Sequence, residues 1–375
     1  MRTIRLISRL FVGLLFTFSG FVKSVDPLGS TYKFTDYFTA FGMGWAESLS
    51  LPLAIILSTA EFIVGLNLIF GFRIKISAWL ALLFMAFFTP LTLVLAIDNP
   101  VTDCGCFGDA LILTNWKTFW KNIIILIPTL IVFFGRAKIK SYFSTIAQWS
   151  ISVFLIVLIV GFQFYNLKHL PVIDFRPYSV GSYLPDKMVY PENAAPDEYK
   201  TLFYYKNTKT GEIKEFDETN YPWQDTLNWV WNDSKSILIK EGYHPPIHDF
   251  VIESPEEGDI TDIVLANENY TFLLIAYDIT KSCTENQKQI NDLALYSEEN
   301  NIDFMCVTSS VQEEIDKFAE KNITPYKFYA CDEITLKTII RSNPGLVLLK
   351  KGTVIGKWSH SDIPSVEEFE ADIFK

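Results

Sequence analysis

The chain has 375 residues, 49% of them hydrophobic, a formal net charge of −11 and a mean hydropathy of +0.20. The charge is unevenly placed: residues 1–170 carry 13 Lys+Arg against 7 Asp+Glu, and residues 171–375 carry 19 against 36. The acidic second half has no basic footprint, which excludes a nucleic-acid partner, and five cysteines are too few for a disulfide scaffold.

Five apolar stretches, at 6–25, 51–71, 76–97, 118–135 and 148–167, have the length needed to cross about 30 Å of hydrocarbon. The first opens MRTIRLISR and contains no A-x-A-like cleavage site, so it reads as a retained anchor rather than a removed signal. Short-loop basic residues set the orientation. Arg2, Arg5 and Arg9 precede the first span, Arg73 and Lys75 follow the second, and Arg136, Lys138 and Lys140 follow the fourth. All fall on one side, which is expected to be cytoplasmic. Residues 27–50, the 98–117 loop and everything after Lys168 fall on the other; Lys117 and Lys121 are the exceptions to the rule. The expected location is the bacterial cytoplasmic (inner) membrane, with the N-terminus cytoplasmic, the C-terminal half periplasmic, and lipid as the first partner.

The loop between the third and fourth spans reads IDNPVTDCGCFGD. Cys104 and Cys106 are separated only by Gly105, and a disulfide closing so small a ring is strained, hence labile. Three readings stand here: a redox-active pair, a structural staple, and half of a zinc site lacking a neighbouring His. Asp103 and Asp109 flank the pair, and their negative charge is expected to raise the thiol pKa values. Glu61 lies half-way along the second span, where an ionisable side chain is a functional candidate or a buried packing residue. Lys23, near the outer end of the first span, is expected to reach the interface.

The segments SGFVKSVDPLGSTYKFTDYF, STAEFIVGLNLIFG and DCGCFGD resemble the DoxX-like membrane family, and within it the branch of the methylamine-utilisation protein MauE. The resemblance covers residues 1–140 and implies a four-helix membrane bundle with a role in disulfides of exported proteins. It points to Cys104 and Cys106 as redox residues, to Glu61 and Lys23 as cofactor-binding residues, and to a quinone as cofactor. No methylamine-specific role follows.

The fifth span (141–170) leads into a connector and accessory region, 171–249, punctuated by Pro and Gly. Within it TLFYYKNTKTGEIKEF reads as two strands about a turn. NYPWQDTLNWVWND is expected to pack its Trp residues on the main domain or at the membrane interface. His244 and His248 read as structural rather than metal-binding.

From 250 to 375 the pattern is strand (YTFLLIAYDI), helix (CTENQKQINDLALYSEEN), strand (NIDFMCVTSS), helix (VQEEIDKFAEKN), PYKFYAC, a short helix, then a hairpin (PGLVLLKKGTVIGKW). This order resembles the thioredoxin fold, with Asn343–Pro344 where that fold places its cis-proline. The resemblance implies a C-x-x-C, which ITKSCTEN lacks. Counting back from the helix puts Cys283 at the second cysteine position and Thr280 at the first; counting forward from the strand leaves the register open, with Asn286 as the alternative missing partner. Cys306 reads as a core thiol.

The expected fold is therefore a membrane all-α bundle, four DoxX-like helices plus one, followed by a soluble α/β thioredoxin-like domain. The first functional reading is a membrane thiol–disulfide component using Cys104, Cys106 and Cys283 on exported proteins or a redox partner. The others are a non-enzymatic assembly factor with a structural CGC disulfide, and a quinone-linked subunit depending on Glu61 and Lys23.

Overall fold

The computed structural model describes residues 2–373 except 102, 140, 142, 192, 193 and 241. Lys140, one of the orientation-setting residues, lies outside the described residues. Among those described, five helices are long and apolar enough to cross a membrane. They lie within α1 (Arg2–Val25), α3 (Ser50–Phe70), α4 (Ile74–Asp98), α5 (Asn115–Gly135) and α6 (Thr145–Lys168), with a shorter helix, α2 (Pro27–Ala40), between the first two. The sequence pattern did not single out α2. Asp26 caps it by accepting from the Gly29 N–H, and Pro27 supplies the favoured first-turn residue.

The bundle is held by close helix approach as well as by bulky side chains. A Cβ at Gly20 would lie 2.4 Å from the Phe62 nitrogen, and one at Gly65 would lie 2.3 Å from the Thr17 nitrogen. Only glycine lets the α1 and α3 backbones touch, the small-residue logic of helix packing in lipid. Val12, Phe16, Val64, Leu68, Ala78, Met85, Ile125 and Val132 fill the bundle core. Arg5 packs against Gly135 and Arg9 against Gly71, so the basic ends gather at one end of the bundle. Arg73 lies over the Trp149 ring at 4.4 Å from the same end.

Residues 183–250 form a separate compact unit. It contains α7 (Leu184–Met188) and an antiparallel sheet ordered β2-β1-β3, from β1 (Glu198–Asn207), β2 (Ile213–Asp217) and β3 (Trp229–Lys240). The hairpin expected from sequence is β1–β2. The third strand takes up part of the Trp-rich segment, in which Trp223 and Trp231 are exposed while Trp229 meets Phe216 edge-on at 5.2 Å.

The remainder of the chain carries β4 (Glu253–Ser254), β5 (Gly258–Asp259), α8 (Thr261–Ala266), β6 (Tyr270–Ile275), α9 (Gln287–Glu299), β7 (Asp303–Thr308), α10 (Gln312–Asn322), β8 (Lys327–Ala330), α11 (Glu333–Ile339), β9 (Gly345–Lys350), β10 (Thr353–Ser359) and α12 (Val366–Ile373). The sheet order is β10-β9-β6-β7-β8-β4-β5. Strands β6, β7 and β8 are parallel, and β9 runs antiparallel to both β6 and β10. Parallel strands need crossovers, which α9 and α10 supply. The sheet packs its Phe272, Leu274, Cys306, Leu346 and Leu348 against Ile290 and Leu293 of α9 and Phe369 of α12. Asn343–Pro344, immediately before β9, is cis. This is the thioredoxin-like arrangement, as the order of elements predicts.

Two readings are corrected. Helix α9 begins at Gln287 with Asn286 as its cap residue, so Cys283 precedes the helix instead of opening it. In the C-T-E-N segment Cys283 therefore takes the first cysteine position and Asn286 the second, because the helix starts later than the amphipathic pattern suggests.

A vicinal-cysteine loop between a buried ion pair and a docked domain

Helix α4 ends at Asn99 in the left-handed conformation, and the chain returns to α5 through a short loop pinned by an Asp103–Thr114 bridge. The Asn115 amide, at the start of α5, donates to Asn99 Oδ1 and to the Val101 carbonyl, fixing the base of the loop. At its tip Gly105 has φ +63°, and a Cβ there would lie 3.0 Å from Cγ of Lys33. Glycine is required twice over, by the backbone conformation and by the Lys33 stem laid against it. The turn brings the Cys104 and Cys106 sulfurs to 2.7 Å as two thiols.

Each cysteine is held by its carbonyl. Tyr37 Oη donates to the Cys104 carbonyl at 2.7 Å. Ser19 Oγ lies 2.7 Å from the Cys106 carbonyl and 2.8 Å from Glu61 Oε2. Lys23 Nζ donates to both Glu61 oxygens at 2.9 Å. Lys23 is 9% exposed and Glu61 6%. The expectation that Lys23 reaches the interface is thus overturned: the close α1–α3 approach places it opposite Glu61, and a buried charge stays with its partner.

The two aspartates flanking the cysteines do not act as free negative charges. Asp103 is paired with Lys33 at 2.6 Å and Asp109 with Arg341 at 2.8 Å. Lys121 lies over the Phe107 ring at 4.3 Å and faces the cysteines. The two thiols consequently separate. The hydrogen bond shared between the sulfurs, together with burial, pushes Cys104 up. The same bond pulls Cys106 down to about 6 against the cost of burial, with Lys121 and Lys23 adding to the pull. The expectation that neighbouring acids raise both thiols fails for Cys106, because the acids are neutralised by cations far away in sequence.

Above the loop sits the thioredoxin-like domain. Arg341, two residues before Asn343–Pro344 and 6% exposed, donates through Nε to Asp26 and through Nη2 to Asp109, both at 2.8 Å. Its Nη1 also reaches the Lys337 carbonyl. Tyr32 of α2 meets Tyr277 hydroxyl to hydroxyl at 3.3 Å. Burial alone would raise the Asp26 carboxyl, and the Arg341 charge beside it outweighs that and holds it below its ordinary range. A cavity of about 20 Å³, room for one water, lies between Lys33, Gly105, Asp109 and Phe175.

Of the residues singled out from sequence, Cys104, Cys106, Glu61 and Lys23 converge on one site. Cys283 belongs to the domain, where its N–H donates to the Asn343 carbonyl at 2.9 Å, beside the cis-proline. Cys306 is fully buried in the sheet. His244 pairs with Asp197 at 3.0 Å. Among the described residues no group of three or more His, Cys, Asp or Glu is arranged to hold a metal ion. Glu61 and Lys23 are both buried and turned toward each other and Ser19. Sequence reasoning missed Ser19, Tyr37, Lys33, Lys121 and Arg341. A signal existed for Lys121, a cation on the side where the positive-inside rule expects few.

Fold and site together define a multi-pass membrane protein with a thioredoxin-like domain set over a Cys-Gly-Cys loop. Residues 1–135 match the family model for methylamine utilisation protein MauE, and residues 199–241 match a domain of unknown function, DUF8463. No curated protein matches the chain. Among solved structures, the chain is similar to "Solution structure of a putative protein disulfide isomerase from Bacteroides thetaiotaomicron". That match has 16% identity, covers 33% of this chain and 80% of the other, and has a TM-score of 0.26.

Proposed function

We propose that the protein exchanges disulfides with exported proteins at Cys104 and Cys106, on the outer face of the bacterial cytoplasmic membrane. The observation that carries this reading is the asymmetry of the pair. Their sulfurs lie 2.7 Å apart as two free thiols, and burial with the shared hydrogen bond pushes Cys104 up while that bond and the Lys121 and Lys23 charges pull Cys106 down. A low-pKa nucleophile beside a protonated resolving thiol is the arrangement that thiol–disulfide exchange needs.

The step balances without a further oxidant. The Cys106 thiolate attacks one sulfur of a substrate disulfide, and the other substrate sulfur leaves as a thiolate that takes up a proton. Cys104 then gives up its proton and attacks Cys106, closing the CGC disulfide and releasing the second substrate thiol. Run backwards, the same steps oxidise a substrate dithiol. Cys283 offers the domain one thiol for a mixed disulfide, and with Asn286 in the second position it has no local partner to resolve it. Its role is to hold substrate near the loop. The outward orientation is supported by the basic ends gathered at the opposite end of the bundle.

The test is maleimide gel-shift trapping of Cys104 and Cys106 in acid-quenched cells over a series of redox potentials. Titration well above about −300 mV, where structural disulfides sit, supports exchange. A pair that stays oxidised throughout makes the loop a staple.

A further inference from the structure

The sheet of residues 183–250 ends in an open edge. Its order is β2-β1-β3, and among the described residues no strand pairs with the outer side of β3. That strand is 12 residues long and exposed from Val230 onward. Val230 is 54% exposed, Trp231 59% and Ile239 61%. No proline interrupts it. A row of unpaired backbone N–H and C=O groups flanked by bare apolar side chains is a template for a further strand.

The residue order of β3 is complementary to its own reverse. WVWNDSKSILIK has Ser234 at its middle, an acid on one side and a base on the other, an apolar triplet before and another after. Antiparallel pairing of two copies about an axis through Ser234 sets Asp233 of each opposite Lys235 of the other. Directly opposed Cβ atoms lie about 5 Å apart, where unlike charges attract and like charges repel. Asn232 is the extra residue of an irregularity against β1, since Tyr204 faces Asp233 while Tyr205 faces Trp231. Skipping it, Val230 comes opposite Ile237 and Trp229 opposite Leu238. The β1 register puts both members of each pair on one face of the sheet. Val230 and Ile237 stand against Lys206 and Lys200, and Trp229 and Leu238 against Asn207 and Tyr199, even separations in β1. A parallel copy in register would instead set Asp233 on Asp233 and Lys235 on Lys235.

We propose that β3 pairs with β3 of a second copy of this chain, joining two three-stranded sheets into one that runs β2-β1-β3-β3-β1-β2. A two-fold contact needs a self-complementary patch, and this strand is one. The unit of residues 183–250 takes no part in the cysteine chemistry; its part is to bring two copies together.

The test uses the full-length protein in cell membranes. Ser234→Cys lies on the two-fold axis and should give an oxidant-induced, reducible dimer. Ser236→Cys lies off it, with its two copies about 13 Å apart along the strand, beyond disulfide reach, and should not. Two differently tagged copies, co-expressed and pulled down through one tag, read the charge pairing. Asp233→Lys in both copies, or Lys235→Asp in both, sets like charges opposite and should cut co-purification about tenfold. Asp233→Lys in one copy with Lys235→Asp in the other restores both pairs and should bring it back. All these side chains are exposed, so the variants leave the fold intact. Equal crosslinking by Ser234→Cys and Ser236→Cys, co-purification indifferent to charge, or copies that never co-purify overturn the inference. So does Ser234→Cys crosslinked to a different protein, which makes the edge a site for strand addition by another partner.

Discussion

Arg341 and Asp109, 232 residues apart in the chain, meet at 2.8 Å between Nη2 and Oδ2. The same guanidinium bonds Asp26 at 2.8 Å, so one side chain ties the cis-proline loop of the thioredoxin-like domain to the start of α2 and to the loop that carries the cysteines. Arg341→Met leaves two largely buried carboxylates without their cation. Breaking a buried pair by removing one partner costs about 3–5 kcal/mol. Thermal unfolding of the full-length protein should fall accordingly, and limited proteolysis should release the domain sooner.

Acid should loosen the same contact with a defined sign. The Arg341 charge holds the Asp26 carboxyl below its ordinary range, so its contribution is present at pH values above the unfolded carboxylate's and lost as the pH falls through its lower folded value. Burial pushes Asp109 up, which gives the opposite dependence. Hydrogen exchange at the N-terminus of α2 should therefore accelerate below about pH 4 in the wild type, and Asp26→Asn should lack that acid limb.

Gly20→Ala should unseat the site from a distance. Its Cβ would press on the Phe62 backbone at 2.4 Å, forcing α1 from α3 and Lys23 from Glu61. Overpacking of this kind costs about 1–3 kcal/mol. Gly161→Ala, with nothing within 4 Å of the added atom, is the control and should melt with the wild type.

The two cysteines should differ when changed one at a time. Cys104→Ser leaves the attacking thiolate and removes the resolving thiol, so mixed disulfides between this chain and its substrates should accumulate on non-reducing gels. Cys106→Ser leaves only the protonated, buried thiol and should trap few or none. Equal trapping by both variants would contradict the assignment of Cys106 as nucleophile.

Cys306 should be inert in the folded protein. It is fully buried and its thiol is pushed well up by desolvation alone. Mass-resolved alkylation at neutral pH should label Cys283 in the native state and reach Cys306 only after denaturant is added.

How far the sequence could be read depends on the range of the interactions concerned. The membrane spans follow from a local rule, since apolar side chains over about twenty residues suffice to cross lipid whatever they pack against. The thioredoxin-like order of strands and helices is carried by period and length within each segment. The amphipathic pattern runs on through Thr284 and Glu285, whereas α9 starts at Gln287 and the Cys283 N–H bonds the Asn343 carbonyl, sixty residues on, a contact outside the reach of local pattern. Helix α2 went unseen because its polar and aromatic residues show no clear periodicity.

By itself the sequence determined five spanning segments, a thioredoxin-like domain without a C-x-x-C, and two cysteines one residue apart in one loop. Only the tertiary structure decided what those cysteines face. The pairing of Lys23 with Glu61, of Lys33 with Asp103, and of Arg341 with Asp26 and Asp109 all join elements distant in the chain. Acids that read as deactivating in the linear sequence are neutralised there, and cations are set around Cys106 instead. The physical reason is that electrostatics in a buried site depends on distance through space and on the loss of water. Neither is encoded in the spacing of residues along a strand or helix.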